Sequence, residues 1–334
     1  MDIDDINISA LFFADDIVLI TKSPSNMRRL LGIVTNWSIA WKMDISLTKS
    51  KFMTHPAGEN EIPMMDTKNN SMGAIKEVPF FKYLGVNVEI APWQLYRRFN
   101  DHVISKARKY MYAIMSLAKE GPDRSEIARA LWLNCALPSI LYGVECNILT
   151  KGTVDTLERL QSRVGKFILQ LPMVSTNVTS NIDAGLLPMK YHILSKQLNY
   201  QQRLLTLPKW WWVRKAYKEQ VKMGMASKYI RKMMMIKTEQ NVLNLNKKCI
   251  KKRLLINAKE DTLLEAKKCK KSTILMLDNA PNFKIKSWVN DSSLSQILSL
   301  FRGSDAGLGN RAPLADGLKV KFAYYVKEVN QHLY

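Results

Sequence analysis

Two short apolar runs, Ile8-Ser9-Ala10-Leu11-Phe12 and Ile17-Val18-Leu19-Ile20, meet at Phe13-Ala14-Asp15-Asp16. Strand-length runs broken by turn-forming residues predict a β-hairpin over residues 6–21, with two adjacent carboxylates at its tip. Ser23-Pro24 then reads as a helix start, an N-cap followed by a proline whose missing N–H is not needed there. Leu30, Leu31, Val34, Trp37 and Trp41 follow at helical spacing and predict a buried stripe. Met43–Thr54 turns strand-like, the polar stretch Gly58–Gly73 reads as loop, and Val78–Ile90 reads as strand.

From Pro92 the spacing is helical. Residues 94–119 and 124–148 predict two long helices, the second kinked at Pro138, whose ring does not fit an unbroken helical ladder. Thr153 reads as the cap of a third helix with the stripe Val154, Leu157, Leu160, Val164, Phe167 and Ile168, ended by Pro172. Residues 173–188 read as loop and Lys190–Leu207 as helix. After Trp210-Trp211-Trp212, a basic helical region runs to about Lys271. Residues 279–334 are less regular and hold a Gly/Asp-rich loop, Gly303–Gly317. The pattern predicts an α+β chain: a small antiparallel sheet in 1–90, a helical region in 91–208, and a basic helical extension with an irregular end in 209–334.

Composition changes this picture in one respect. The 334 residues carry 50 Lys and Arg against 29 Asp and Glu, a net +21. Lys190–Asn290 alone holds 24 basic and 6 acidic residues. A local field of that sign favours polyanions, nucleic acid first and an acidic membrane surface second. Cys135, Cys146, Cys249 and Cys269 show neither Cys-x-x-Cys spacing nor a nearby His, so reduced, buried thiols are expected rather than zinc or disulfides. No stretch reaches the roughly 18 apolar residues of a membrane helix. Asp2, Asp4 and Asp5 are the wrong start for a secretory or mitochondrial signal. The expected setting is intracellular, cytoplasmic or nuclear.

Adjacent exposed acids at a tight turn can hold Mg²⁺, a hard cation that takes oxygen ligands and phosphate partners; a turn that uses Asp only for its turn propensity is the plainer alternative. Two later motifs favour the first reading. Phe12-Phe13-Ala14-Asp15-Asp16-Ile17-Val18-Leu19, then Lys49-Ser50-Lys51-Phe52-Met53, then Phe81-Lys82-Tyr83-Leu84-Gly85 stand in order. Together they resemble the reverse transcriptase of non-LTR (LINE-type) retrotransposons. Leu137-Pro138-Ser139-Ile140-Leu141-Tyr142-Gly143 and Gly185-Leu186-Leu187-Pro188 resemble its helical thumb.

The resemblance implies roles. Asp15 and Asp16 would be palm ligands for Mg²⁺, with Asp15 the principal one. Lys49 or Lys51 would sit near the incoming deoxynucleotide triphosphate, where a lysine stabilises or protonates the departing pyrophosphate. Phe81, Lys82, Tyr83 and Gly85 would form the hairpin that holds the primer's 3′ end, or pack against the thumb, or both. RNA template, DNA primer and deoxynucleotides are the implied partners.

The family also implies a further aspartate on a strand well upstream, and fingers. Only fourteen residues precede Asp15 here. The chain therefore reads as the back half of a polymerase, expected to be inactive alone. The family's carboxyl-terminal zinc knuckle is not expected either, since His332 there has no cysteine beside it. The alternative is a non-catalytic RNA- or DNA-binding remnant. In it Lys251, Lys252 and Arg253 neutralise phosphates, and Trp210, Trp211 and Trp212 offer stacking surfaces or serve as helix-packing anchors.

Overall fold

In the computed structural model, which describes residues 2–3, 6–55, 61–65, 71–89, 96–119, 123–222, 246–268 and 283, strands occupy the amino-terminal part and helices follow. The described residues fall into two compact units. One is drawn from 1–113, 131–160 and 188–256, the other from 114–130, 161–187 and 257–334. Within the first, β1 (Asp2–Ile3) pairs with β2 (Ile6–Asn7) and β3 (Ala10–Phe13) with β4 (Asp16–Leu19), both antiparallel. Helix α1 (Pro24–Ala40) follows, then β5 (Lys51–Phe52), β6 (Glu61–Met65), β7 (Ser71–Glu77), β8 (Phe80–Tyr83) and β9 (Val86–Glu89). The α+β class holds, with small two- and three-stranded sheets in place of one continuous palm sheet.

The three-stranded sheet runs β5-β7-β6, parallel between β5 and β7 and antiparallel between β6 and β7. It corrects the loop expected over 58–73, where only 66–70 and the residues before 61 lie outside the described chain. Polar composition hid the strands, whose Ile62 and Ile75 complete a core with Phe52. Pro63 is tolerated because β6 is an edge strand, where a missing donor breaks no ladder. The strand-like reading of Met43–Thr54 shrinks to β5. Ile45 and Leu47 pack on the same core from irregular chain.

Helix α1 starts as expected, Ser23 accepting the Asn26 amide through its hydroxyl. Its buried face matches the expected stripe only in part, at Leu31 but not at Trp37 and Trp41. Met27 and Leu31 pack on the sheet core, Thr35 and Ser38 are buried, and Trp37 and Trp41 are exposed, their rings 6.4 Å apart. The helix ends in a Schellman turn: the Met43 amide donates to Ser38 (2.8 Å) and the Lys42 amide to Ile39 (3.1 Å). Lys42 is left-handed there (φ 55). A left-handed side chain costs roughly 1–2 kcal/mol, and glycine's extra freedom when unfolded returns part of that. Lys42→Gly should therefore raise stability by roughly 0.5–1 kcal/mol, read as a higher urea midpoint with unchanged slope.

The helical region is α2 (Arg97–Lys119), α3 (Arg124–Leu131), a π-helical turn (Trp132–Ala136), α4 (Leu137–Ile140), α5 (Lys151–Ile168), α6 (Asn177–Asp183), α7 (Met189–Thr206), α8 (Trp212–Lys222) and α9 (Lys247–Lys268). The expected long helix over 124–148 is broken, and more sharply than by a kink. Leu137 donates five residues back to Trp132, widening the turn directly before Pro138, and α4 ends at Ile140. Helix α5 is capped one turn earlier than expected, the Thr150 hydroxyl accepting the Thr153 amide at 3.2 Å. Its buried positions Leu157, Leu160, Val164 and Ile168 agree with the stripe.

The loop expected over 173–188 instead holds α6, whose Thr179, Ser180, Asn181 and Asp183 are buried. The polar residues that went inside find partners there for part of their hydrogen-bonding capacity. Asn181 Nδ2 donates to Ser162 (3.0 Å), the Ser180 hydroxyl to the Asn177 carbonyl (3.0 Å), and Arg129 Nε to the Ala184 carbonyl (3.1 Å). The end of α5 is closed by α3. Arg124 donates to the Phe167 carbonyl (3.0 Å) and Ser125 to that of Ile168 (2.9 Å), serving acceptors that a helix end leaves open. Cys135, Cys146 and Cys249 are free, as expected, but exposed rather than buried, and Cys269 lies outside the described residues. So do 279–334, Phe283 excepted.

Candidate functional site

The register Phe13↔Asp16 leaves Ala14 and Asp15 as a two-residue turn. Ala14 is left-handed (φ 50) and Asp15 is not, the pattern of a type II′ turn, which suits the right-handed twist of the strands. Asp15 thus occupies the second turn position and Asp16 the first position of β4, both exposed. Neighbouring strand residues point to opposite faces. Phe12 is 70% and Phe13 60% exposed, so both faces of the hairpin are bare near its tip.

The second hairpin is built more firmly. Tyr83↔Val86 leaves Leu84 and Gly85 as its turn, both left-handed (φ 47 and 81), the type I′ geometry. The Tyr142 hydroxyl donates to the Leu84 carbonyl at 2.9 Å, and a Cβ on Gly85 would lie 3.2 Å from the Tyr142 ring. Arg98 on α2 pairs with Glu89 (3.1 Å) and lies over the Phe80 ring (4.3 Å). Beneath the turn, Gly143 (φ 79) leaves room for Val86. Tyr142 and Gly143 therefore act as a seat for the hairpin that carries Phe81, Lys82 and Tyr83. Lys82 is exposed, and Phe81 and Tyr83 are half-buried.

Two hairpins in this order, with paired acids at the tip of one and a lysine on the other, coincide with a family match. Residues 2–88 match the family model of reverse transcriptase (RNA-dependent DNA polymerase). No curated protein matches the chain. No solved structure matches it either.

Within the reverse transcriptase match, the expected site residues lie on three separate β units. Asp15 and Asp16 are on β3–β4. Lys49 is exposed in the turn before β5, and Lys51, half-buried, is on β5 opposite Lys76 of β7. Phe81, Lys82, Tyr83 and Gly85 are on β8–β9. No strand hydrogen bonding joins the three units among the described residues. Two adjacent carboxylates at a turn suit Mg²⁺ as part of a shell of about six oxygens. No group of three or more His, Cys, Asp or Glu that could hold a metal ion stands together among the described residues.

Outside the match, Lys251, Lys252 and Arg253 are exposed on α9. The tryptophans 210–212 are exposed as well, Trp210 at 71%, with Trp210 and Trp211 edge to face at 5.9 Å. That exposure counts against a helix-packing role. No described helix is long and apolar enough to cross a membrane.

Sequence reasoning passed over one cluster. His102, Lys106 and Lys109 stand at helical spacing on α2, and Lys82 of β8 is near enough to act on His102 electrostatically. Burial, followed by Lys106, Lys82 and Lys109, holds His102 below its ordinary value. The i, i+4, i+7 spacing of the three α2 residues was legible; the contribution of Lys82 was not, since it depends on how the hairpin is seated.

Proposed function

We propose that residues 2–88 serve as the carboxyl-terminal part of the catalytic palm of a non-LTR-type reverse transcriptase, followed by a helical thumb-like region (91–208) and a basic extension (209–334). The observation that carries the reading is the pair Asp15 and Asp16 on a tight β-turn inside the matched segment. In this reading Asp15 and Asp16 hold Mg²⁺, which when bound neutralises charge on the phosphoryl oxygens. Phe81, Lys82 and Tyr83 position the primer end, so that its 3′ hydroxyl attacks the nucleotide's α-phosphorus and pyrophosphate departs. Lys49 or Lys51 offers the positive charge or proton that the departing oxygen requires.

Iron(II) replaces Mg²⁺ in oxygen sites and, with ascorbate and peroxide, cuts the chain near where it sits. Cleavage is expected beside residues 14–17, suppressed by excess Mg²⁺ and lost in Asp15→Asn with Asp16→Asn. The same cleavage in the double variant would remove the metal role. Because these two carboxylates form only part of a two-metal site, primer extension by the chain alone is expected to be absent. Incorporation that vanishes in Asp15→Ala would overturn that second expectation.

The exposed tryptophans and the lysines of α9 favour a second reading, a nucleic-acid-binding module without catalysis. In that case binding to RNA persists in the double aspartate variant and weakens steeply with salt.

A further inference from the structure

We infer that the turn carrying Trp210 and Trp211 is a stacking site for the unpaired bases of a single nucleic-acid strand, with Lys209, Lys215 and Lys218 beside it to receive the phosphates. This assignment rests on the nucleic-acid-binding reading, to which it adds the strand state and the residues, and is independent of the metal role of the first hairpin. Three consecutive indoles stand in water here. Trp210 is 71% exposed, Trp211 41% and Trp212 43%. Adjacent aromatic surfaces left bare on a folded chain mark a binding site.

A closed turn displays them. Helix α7 ends at Thr206, and the Trp211 amide donates to the Pro208 carbonyl (3.1 Å), which places Lys209 and Trp210 at the two central positions of a β-turn. The Trp211 carbonyl then accepts the Arg214 and Lys215 amides, both at 3.1 Å, as α8 begins. Arg214 folds back onto the same turn, its Nη1 donating to the Leu207 carbonyl at 2.6 Å. Backbone and side chain thus fix the chain on either side of Trp210, so little ordering is left to be done when a ligand arrives. Trp210 and Trp211 meet edge to face, 5.9 Å between ring centroids, a contact that sets the orientation of both rings.

Charge selects the class of ligand. From Arg203 to Lys218 five side chains are basic and none is acidic. Lys209 is exposed next to Trp210, and Lys215 and Lys218 lie four and seven positions on from Trp211, along one face of the helix that follows it. Cations interleaved with aromatic faces fit a chain of alternating phosphates and bases. Stacking also needs a bare base. In a duplex each base is covered by its neighbours, whereas a single strand can splay its bases onto an aromatic ring. An anionic bilayer would answer the same charge, but a helix that lies on a bilayer keeps its apolar side for lipid. The apolar side of α8 is turned inward instead, with Tyr217 buried.

The test measures binding of the full chain by anisotropy to a fluorescent unpaired RNA of about twelve nucleotides and to the same RNA annealed to its complement. Vesicles of phosphatidylcholine with phosphatidylserine form a third arm. The unpaired RNA should bind more tightly than the paired. Trp210→Ala and Trp211→Ala should each weaken the unpaired complex by roughly 5- to 150-fold, the range for one stacked base, and change duplex binding by less than about twofold. Both rings are at the surface, so the urea midpoint should hold in each variant. Lys209→Gln should lower the salt slope for unpaired RNA by about 0.7. Equal losses for unpaired and paired RNA in the tryptophan variants, or no loss for either, overturn the inference. If the parent binds RNA and only the combined Lys251→Gln, Lys252→Gln and Arg253→Gln variant loses binding, the nucleic-acid-binding reading stands and this site falls. If the parent binds no RNA, both fall. Vesicle binding that Trp210→Ala removes while RNA binding is unchanged assigns the turn to a bilayer and overturns the strand.

Discussion

Trp132→Ala is expected to destabilise the protein by about 3–5 kcal/mol, the range for removing a large buried aromatic ring. Trp132 is the largest side chain with no exposed surface among the described residues. It also opens the π-helical turn, its carbonyl accepting the Leu137 amide. A void there removes packing at the point where the backbone already leaves regular helix, so the site has little capacity to close up. The other tryptophans of the described chain are substantially exposed. Among the tryptophans of the described residues, Trp132 is the one expected to emit to the blue, and a blue-shifted component should be lost in Trp132→Phe, which keeps most of the volume. A Trp132→Ala melting temperature within one degree of the parent would mean that the ring is not part of the core.

Gly143→Ala should cost roughly 2–5 kcal/mol from two sources. A left-handed backbone costs an L side chain about 1–2 kcal/mol, and overpacking adds about 1–3. The new Cβ would lie 2.8 Å from Val86 Cγ2 and 3.4 Å from Phe99. The consequence is local as well as global. Val86 is on β9, so relief of the clash lifts the hairpin that carries Lys82 away from Tyr142. Amide exchange in 80–89 should accelerate more than in α5. Uniform acceleration over the whole chain would mean a global effect only.

What the sequence disclosed depended on how local each determinant is. The Asp15-Asp16 hairpin was readable because apolar runs flank a turn whose geometry is set by four consecutive residues. Ser23-Pro24 was readable for the same reason. The sheet of β5, β6 and β7 was not, since its core rests on single apolar positions, Phe52, Ile62 and Ile75, far apart in the chain. Helix α6 was hidden because its buried residues are polar and depend on partners such as Ser162 and Arg129. The stripe of α1 misled for a related reason. Periodicity placed Leu31 on the buried face correctly but extended that face to the exposed Trp37 and Trp41 and left out Met27, which packs on the sheet. For the candidate site, residue types and order were evident, while the seating of Lys82 by Tyr142 and Gly143 was not.

The bareness of Phe12 and Phe13 has an energetic corollary. A lone two-stranded ribbon is only marginally ordered in water, so under the proposed metal role the fraction of molecules presenting both acids in register would multiply the intrinsic hold on a divalent ion. Whatever surface shields those rings must tighten ion capture, and the ion must strengthen adhesion of that surface by the same factor.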